Sequence, residues 1–237
     1  DSVTSISYSA FEECTNLASI SVAENNINFS DIEGVLFNKD KTVLIRYPQG
    51  KTNTEYILPN GVISIGNNAF MGCKNLFDIT MPNSVTSIGD SAFYECTNLE
   101  SVIVPNSVTS INSCAFADCI NLASVIIGNG LTSIGALAFS DCISLTAIII
   151  PDNVTSIDGD VFFGNDNLTI ISNCNSYAAE YAVKYDRSIN LQHNFSNEWI
   201  VDLVPNCTEN GLKSHHCSRY DEKSDVTVIE ALGHCFG

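Results

Sequence analysis

Ser84-Val-Thr-Ser-Ile-Gly-Asp-Ser-Ala-Phe-Tyr-Glu-Cys-Thr-Asn-Leu-Glu-Ser-Val-Ile-Val-Pro105 is the stretch that decides the fold. Its opening Val-Thr-Ser-Ile, or a close variant, starts at Val62, Val85, Val108, Leu131 and Val154, a constant step of 23. Other columns keep the same step. Phe70, Phe93, Phe116, Phe139 and Phe162 align, as do Leu76, Leu99, Leu122, Leu145 and Leu168. Cys73, Cys96, Cys119 and Cys142 form a third column, in which Asn165 replaces the fifth cysteine. An earlier copy starts at Val3 with Phe11, Cys14 and Leu17 in register. More than one period separates it from Val62, so an insertion lies between the two.

A period of 23 is too short for a domain and suits one coil of a solenoid, in which each coil buries its apolar face only against its neighbours. Leu99-x-x-Val102-x-Val104 ends in the alternation of a short strand, which Pro105 stops. Val85–Ile88 reads as a second strand. Its apolar residues are three apart, so a twist or bulge is expected there. Ala-Phe-x-x-Cys has the spacing of a single helical or 3₁₀ turn. Stacked coils would pair their strands in parallel at about 4.8 Å per step.

The pattern Ser-Val-Thr-Ser-Ile-Gly-x-x-Ala-Phe-x-x-Cys-x-Asn-Leu-x-x-Val-x-Val-Pro resembles the Treponema-type, BspA-like branch of the leucine-rich repeats, over residues 2–176. The resemblance implies an α/β, β-rich fold: a right-handed, curved solenoid of 23-residue coils with short parallel strands. It also implies a surface-exposed or secreted bacterial protein that binds other proteins or host surfaces. Residues 1–192 are expected to form the solenoid, with a hairpin insertion at about 26–61 and a C-terminal cap at about 176–192. Residues 193–237 would form a separate module. The cap rests on Tyr177, Tyr181 and Tyr185, spaced by four, with Ser176 as helix N-cap. Within the insertion, two apolar runs flank Lys39-Asp40-Lys41 and read as a β-hairpin. Lys39, Lys41, Arg46 and Lys51 make it a basic knob on an acidic body.

The chain of 237 residues carries 10 Lys+Arg against 27 Asp+Glu, a net charge of −17. That excess argues against nucleic acid and anionic membrane surfaces as partners. No apolar run is long enough to cross a bilayer. There is no Met start or apolar leader, so any export signal or anchor is expected outside this stretch. The regular register also changes the reading of the ten cysteines. Stacked at about 4.8 Å with parallel Cα–Cβ vectors, the column cysteines are too far apart for disulfides and read as buried free thiols.

Catalysis finds little support. The first 192 residues contain no histidine, and no nucleophile elbow, metalloprotease motif or phosphate loop occurs. No cofactor is expected. An acidic column at Glu13, Glu95, Asp118 and Asp141 reads as a solvated edge or a cation ladder. The Thr-Ser columns read as inter-coil hydrogen bonding or a hydroxyl array. The C-terminal stretch Trp199-x₇-Cys207 to Ala231-Leu-Gly-His234 resembles a small β module near the C-termini of surface proteins of gut clostridia. Its Cys207, Cys217 and His234 are weak zinc candidates, because Tyr220 stands where a second cysteine of Cys-x-x-Cys would. A Cys207–Cys217 disulfide and free thiols are the other readings.

The expected contact is the outward face of the Leu-x-x-Val-x-Val strands: Ser101, Ile103, Ser124, Ile126, Ala147 and Ile149. Ile126 and Ile149 are apolar at outward positions and would form a patch. The leading function is a non-catalytic adhesion or binding protein, exported to the cell surface, with a protein or glycan ligand of a host or other source. The alternatives are a structural spacer and a targeting region for a domain outside this stretch.

Overall fold

The computed structural model describes residues 2–7, 9–192, 200–203, 211–216 and 223–229. The Leu-x-x-Val-x-Val motif and the Val-Thr-Ser-Ile motif each supply one strand per coil, on two different sheets. The first strands of the chain are β1 (Phe29–Ile32), β2 (Val35–Asn38) and β3 (Val43–Arg46). Two strands per coil then alternate: β4 (Glu55–Ile57), β5 (Ser64–Ile65), β6 (Asp78–Thr80) and β7 (Ser87–Ile88). The series continues through β8 (Ser101–Val104), β9 (Ser110–Ile111), β10 (Ser124–Ile127) and β11 (Ser133–Ile134). It ends with β12 (Ala147–Ile149), β13 (Ser156–Ile157) and β14 (Thr169–Asn173). After these come helix α1 (Tyr177–Lys184) and strand β15 (Ser188–Gln192). Strands β16 (Ile200–Leu203), β17 (Gly211–His216) and β18 (Lys223–Ile229) form an antiparallel sheet of their own.

The Ser-Ile strands make one sheet in the order β1-β2-β3-β5-β7-β9-β11-β13. Serine pairs with serine and isoleucine with isoleucine at every parallel step from β5 onward. The strand is shorter than the sequence reading of Val85–Ile88 suggests, only Ser87–Ile88 in that coil, and no bulge is needed. Val85 belongs to the preceding turn, where its N–H donates to Pro82 O. Val85 and Ile88 are both fully buried because only Ile88 obeys strand alternation. The Leu-x-x-Val-x-Val strands pair in parallel as β4–β6, β8–β10 and β12–β14–β15.

The Ala-Phe-x-x-Cys segment is a run of turns, not a helical turn. Ser91 and Glu95 adopt positive φ (51° and 55°), and so do their equivalents one coil on, Cys114 and Asp118. Positive φ at every fourth residue breaks any helix. It turns alternate N–H groups toward the next coil, so that Ser91, Phe93 and Glu95 donate to Ser113, Ala115 and Ala117 O. The main chain is thereby paired between coils on this side as well.

The core is a set of straight columns. Phe70, Phe93, Phe116, Phe139 and Phe162 are fully buried, and their rings stack at 4.9 to 5.9 Å between centroids. Burial of one such ring contributes about 1.5–3 kcal/mol, and stacking adds about 0.5–1.5 kcal/mol. At the C-terminal end Tyr181 of α1 meets Phe162 edge-on at 6.1 Å. Helix α1 begins at Ser176, whose side chain accepts from Ala179 N.

The insertion is more than a hairpin on an edge. Strands β1, β2 and β3 are antiparallel, and β3 then pairs in parallel with β5 and joins the main sheet. Tyr47, one period before Phe70, occupies the aromatic column and stacks on Phe70 at 5.2 Å. Strand β4 pairs with β6, with Tyr56 opposite Ile79. The second half of the insertion is therefore a coil in its own right, and the stack has about seven coils. The first copy forms no strand among its described residues. Val3 is 50% exposed, and Phe11 and Leu17 are half-buried, whereas their column equivalents from Val62, Phe70 and Leu76 onward are buried.

Candidate functional site

The outward residues of the Leu-x-x-Val-x-Val strands come together as the alternation requires. In β8 and β10, Val102, Val104, Val125 and Ile127 point into the core, while Ile103 and Ile126 point out. Ile103 lies directly opposite Ile126 in the parallel ladder, and Ser101 opposite Ser124. Strand β12 packs beside β10 and carries Ala147 and Ile149. Ile103, Ile126 and Ile149 are 61%, 57% and 61% exposed. Three branched aliphatic side chains thus stand in a row on adjacent strands, one strand spacing apart. Ser124 and Ala147 are exposed and Ser101 is half-buried. Ile57 of β4, 73% exposed, continues the same column two coils earlier, beyond Thr80. Sequence reading missed it because its coil lies inside the insertion. The signal was present, since Ile57 is two periods before Ile103.

The four basic residues of the insertion do not share one surface. Lys39 and Lys41 are exposed at the β2–β3 turn, where Lys41 has a φ of 58°. Lys39 Nζ donates to Glu24 O and Asn26 O, and Lys51 Nζ to Glu33 O. Arg46 is buried, with its guanidinium on backbone carbonyls. It leaves the expected basic knob because strand alternation in β3 turns Leu44 and Arg46 to the same inner side.

The cysteine column is a ladder of thiol donors. Cys96, Cys119 and Cys142 Sγ donate to Phe70, Phe93 and Phe116 O, each at 3.1 Å. Asn165 makes the same bond from its side-chain amide to Phe139 O at 2.7 Å. All these cysteines are free. Burial pushes the Cys73 and Cys142 thiols up to about 12, and it raises Cys96 and Cys119 well above the usual thiol range. Such thiols are poor nucleophiles and poor metal ligands.

The acidic column has a backbone explanation. Glu13, Glu95, Asp118 and Asp141 all have positive φ, and the interrupting Gly72 and Gly164 share it at 70° and 78°. Tyr94 lies among these carboxylates. Its phenol is pushed up to about 12, first by burial and then by Asp118 and Glu95. The Thr hydroxyls are used between coils, as where Thr109 donates to Thr86 O and Thr132 to Thr109 O. Among the described residues no cluster of three His, Cys, Asp or Glu side chains could hold a metal. The zinc candidates Cys207, Cys217 and His234 lie outside the described residues. No helix among the described residues is long and apolar enough to cross a membrane.

Stacked coils of constant length, two short parallel strands per coil and an unbroken Phe column define a leucine-rich-repeat solenoid. The model of the BspA type leucine rich repeat region matches residues 1–55 and 46–169 in six copies, and the chain belongs to that family. It is similar to a leucine rich cell surface protein from Faecalibacterium prausnitzii, at 34% identity and a TM-score of 0.67, over 76% of this chain and 48% of that one. It is also similar to the pneumococcal vaccine antigen PcpA, at 27% identity and a TM-score of 0.57, over 74% of this chain and 50% of the other. The leucine rich repeat protein of T. pallidum matches at 26% identity and a TM-score of 0.53, over 64% and 71% of the two chains. This chain thus spans about half the length of the first two relatives. No curated protein matches it in sequence.

Proposed function

We propose that the chain is a non-catalytic adhesion or binding protein displayed on a bacterial surface, and that it takes a protein ligand on the outward face of β8, β10 and β12. The observation that carries this reading is the in-register row Ile103, Ile126 and Ile149, each more than half exposed. A soluble body that carries −17 charge gains nothing from aligned aliphatic side chains in water. A protein ligand with its own apolar ridge would remove them from water at about 25 cal/mol per Å². A glycan would draw on aromatic platforms, which this row lacks. Surface display is supported by the kinds of protein the chain is similar to.

The test is a binding panel. The purified chain is passed over immobilised host matrix proteins and over a glycan array at physiological salt. Saturable binding to at least one protein, with none to glycans, is the expected outcome. Binding to glycans alone would overturn the choice of ligand, and no binding at all would shift the reading to a spacer. The continuous aromatic column favours that second reading, because it makes a stiff body suited to projecting another domain.

A further inference from the structure

The outward face that carries the isoleucine row changes chemistry toward its N-terminal end. Strand β6 packs beside β8, so the face runs on without a break from β12 back to β4. Alternation gives it two outward columns. One holds the row itself, and Thr80 and Ile57 extend it. The other reads Glu55, Asp78, Ser101, Ser124 and Ala147 from β4 to β12. It is anionic over β4 and β6 and neutral beyond them.

Glu55 and Asp78 are both exposed and lie directly opposite each other in the parallel ladder. Like charges one strand spacing apart destabilise a sheet. Lys51 and Lys74 stand four residues before them in the chain, yet neither forms an ion pair with them among the described residues. Lys51 Nζ is instead on Glu33 O. Next to Asp78, the ring of Phe77 is 39% exposed. The equivalent of Phe77 one coil on is Glu100, also exposed, whose N–H donates to Phe77 O. The buried Leu76 and Ile79 supply the core of this coil, so packing requires neither the exposed ring nor the facing carboxylates. An aromatic face beside carboxylates attracts a cation on two counts, through the ring quadrupole and through charge-assisted hydrogen bonds.

We propose that the protein ligand lays an extended segment across the strands, with an arginine over Glu55, Asp78 and Phe77 and aliphatic side chains on Ile103 and Ile126. This rests on the reading of the isoleucine row as the binding face. Arginine suits the anionic end better than lysine, because a guanidinium pairs with a carboxylate through two bonds and stacks on a ring. From midway between β4 and β6 to β10 is about 12 Å at one strand spacing per step. An extended segment covers that in about four residues. The −17 charge of the chain also draws a basic segment in from a distance.

The probe is a short labelled peptide, Arg-Thr-Val-Thr-Val flanked by glycine and serine, with the full chain as receptor and fluorescence anisotropy as readout. Its control carries citrulline in place of arginine, the same shape without the charge. The arginine peptide is expected to bind at least tenfold more tightly than the citrulline peptide. Glu55→Gln combined with Asp78→Asn removes a like-charge pair, so the variant is expected to fold with an unchanged or higher Tm and to abolish the preference for arginine. Equal affinity of the two peptides for the parent, or an undiminished preference in the double variant, overturns the proposal and leaves the isoleucine row standing. Undiminished binding of the arginine peptide to folded Ile126→Asp overturns the row, and the proposal with it. Binding of neither peptide overturns the proposal as well. The citrulline comparison needs no variant and decides the matter even if the double variant does not fold.

Discussion

Single side chains repeat one job in every coil, and the exceptions show what the job is. Asn165 stands in the cysteine column and keeps the bond to the Phe139 carbonyl, yet its Oδ1 is buried without a partner. An unsatisfied buried oxygen costs about 1–3 kcal/mol. Asn165→Cys removes that oxygen and keeps a donor, so it is expected to raise stability by about 1–2 kcal/mol, read as a higher Tm. The thiol column also predicts a pH dependence. Folded-state values pushed to about 12 at Cys73 and Cys142 mean that the buried thiols stay protonated where free thiols ionise. Their contribution is complete below the ordinary thiol range near 9 and is lost as pH rises toward 12. The Tm is expected to hold up to about pH 8 and fall above it. A chain with serine at both positions should show a shallower fall, because serine does not titrate there.

Elements differ in how much of them the sequence announces. The alternation in Val102-Ile103-Val104 and the Ser176 cap were readable from residue types alone, because strand period and capping chemistry are local. Ser176→Ala is expected to cost about 1 kcal/mol and to loosen α1 over Phe162, seen as faster hydrogen exchange in the last coil. The shortness of the Ser-Ile strands was not readable. Val85 is buried from a turn, and an apolar residue does not reveal whether strand or turn buries it. The coil inside the insertion was hidden for a second reason. Leu44 stands closer to Tyr47 than its column partner Ile65 stands to Phe70, so the strand and the aromatic column cannot both keep the register. Arg46 follows from the same displacement. Its charge suggested a surface, but its place in β3 turned it inward.

At the scale of the whole molecule, the period carries the fold. Every Phe, Leu and Cys of the three repeat columns from Phe70 to Leu168 is buried, because a coil can hide its apolar face only on its neighbours. Outward positions are free of that constraint, and so a row of three exposed isoleucines stands out as something the core does not require. The measurement that tests this most directly compares two charge substitutions on opposite sheets. Ile126→Asp alters the centre of the row, and Thr132→Asp places the same charge at an exposed position just before β11. Affinity for the ligand found in the panel is then measured for both folded variants. The expected result is at least a tenfold loss for Ile126→Asp and no change for Thr132→Asp. Equal affinity in both variants, or a loss confined to Thr132→Asp, would contradict the assignment of the isoleucine row as the binding face.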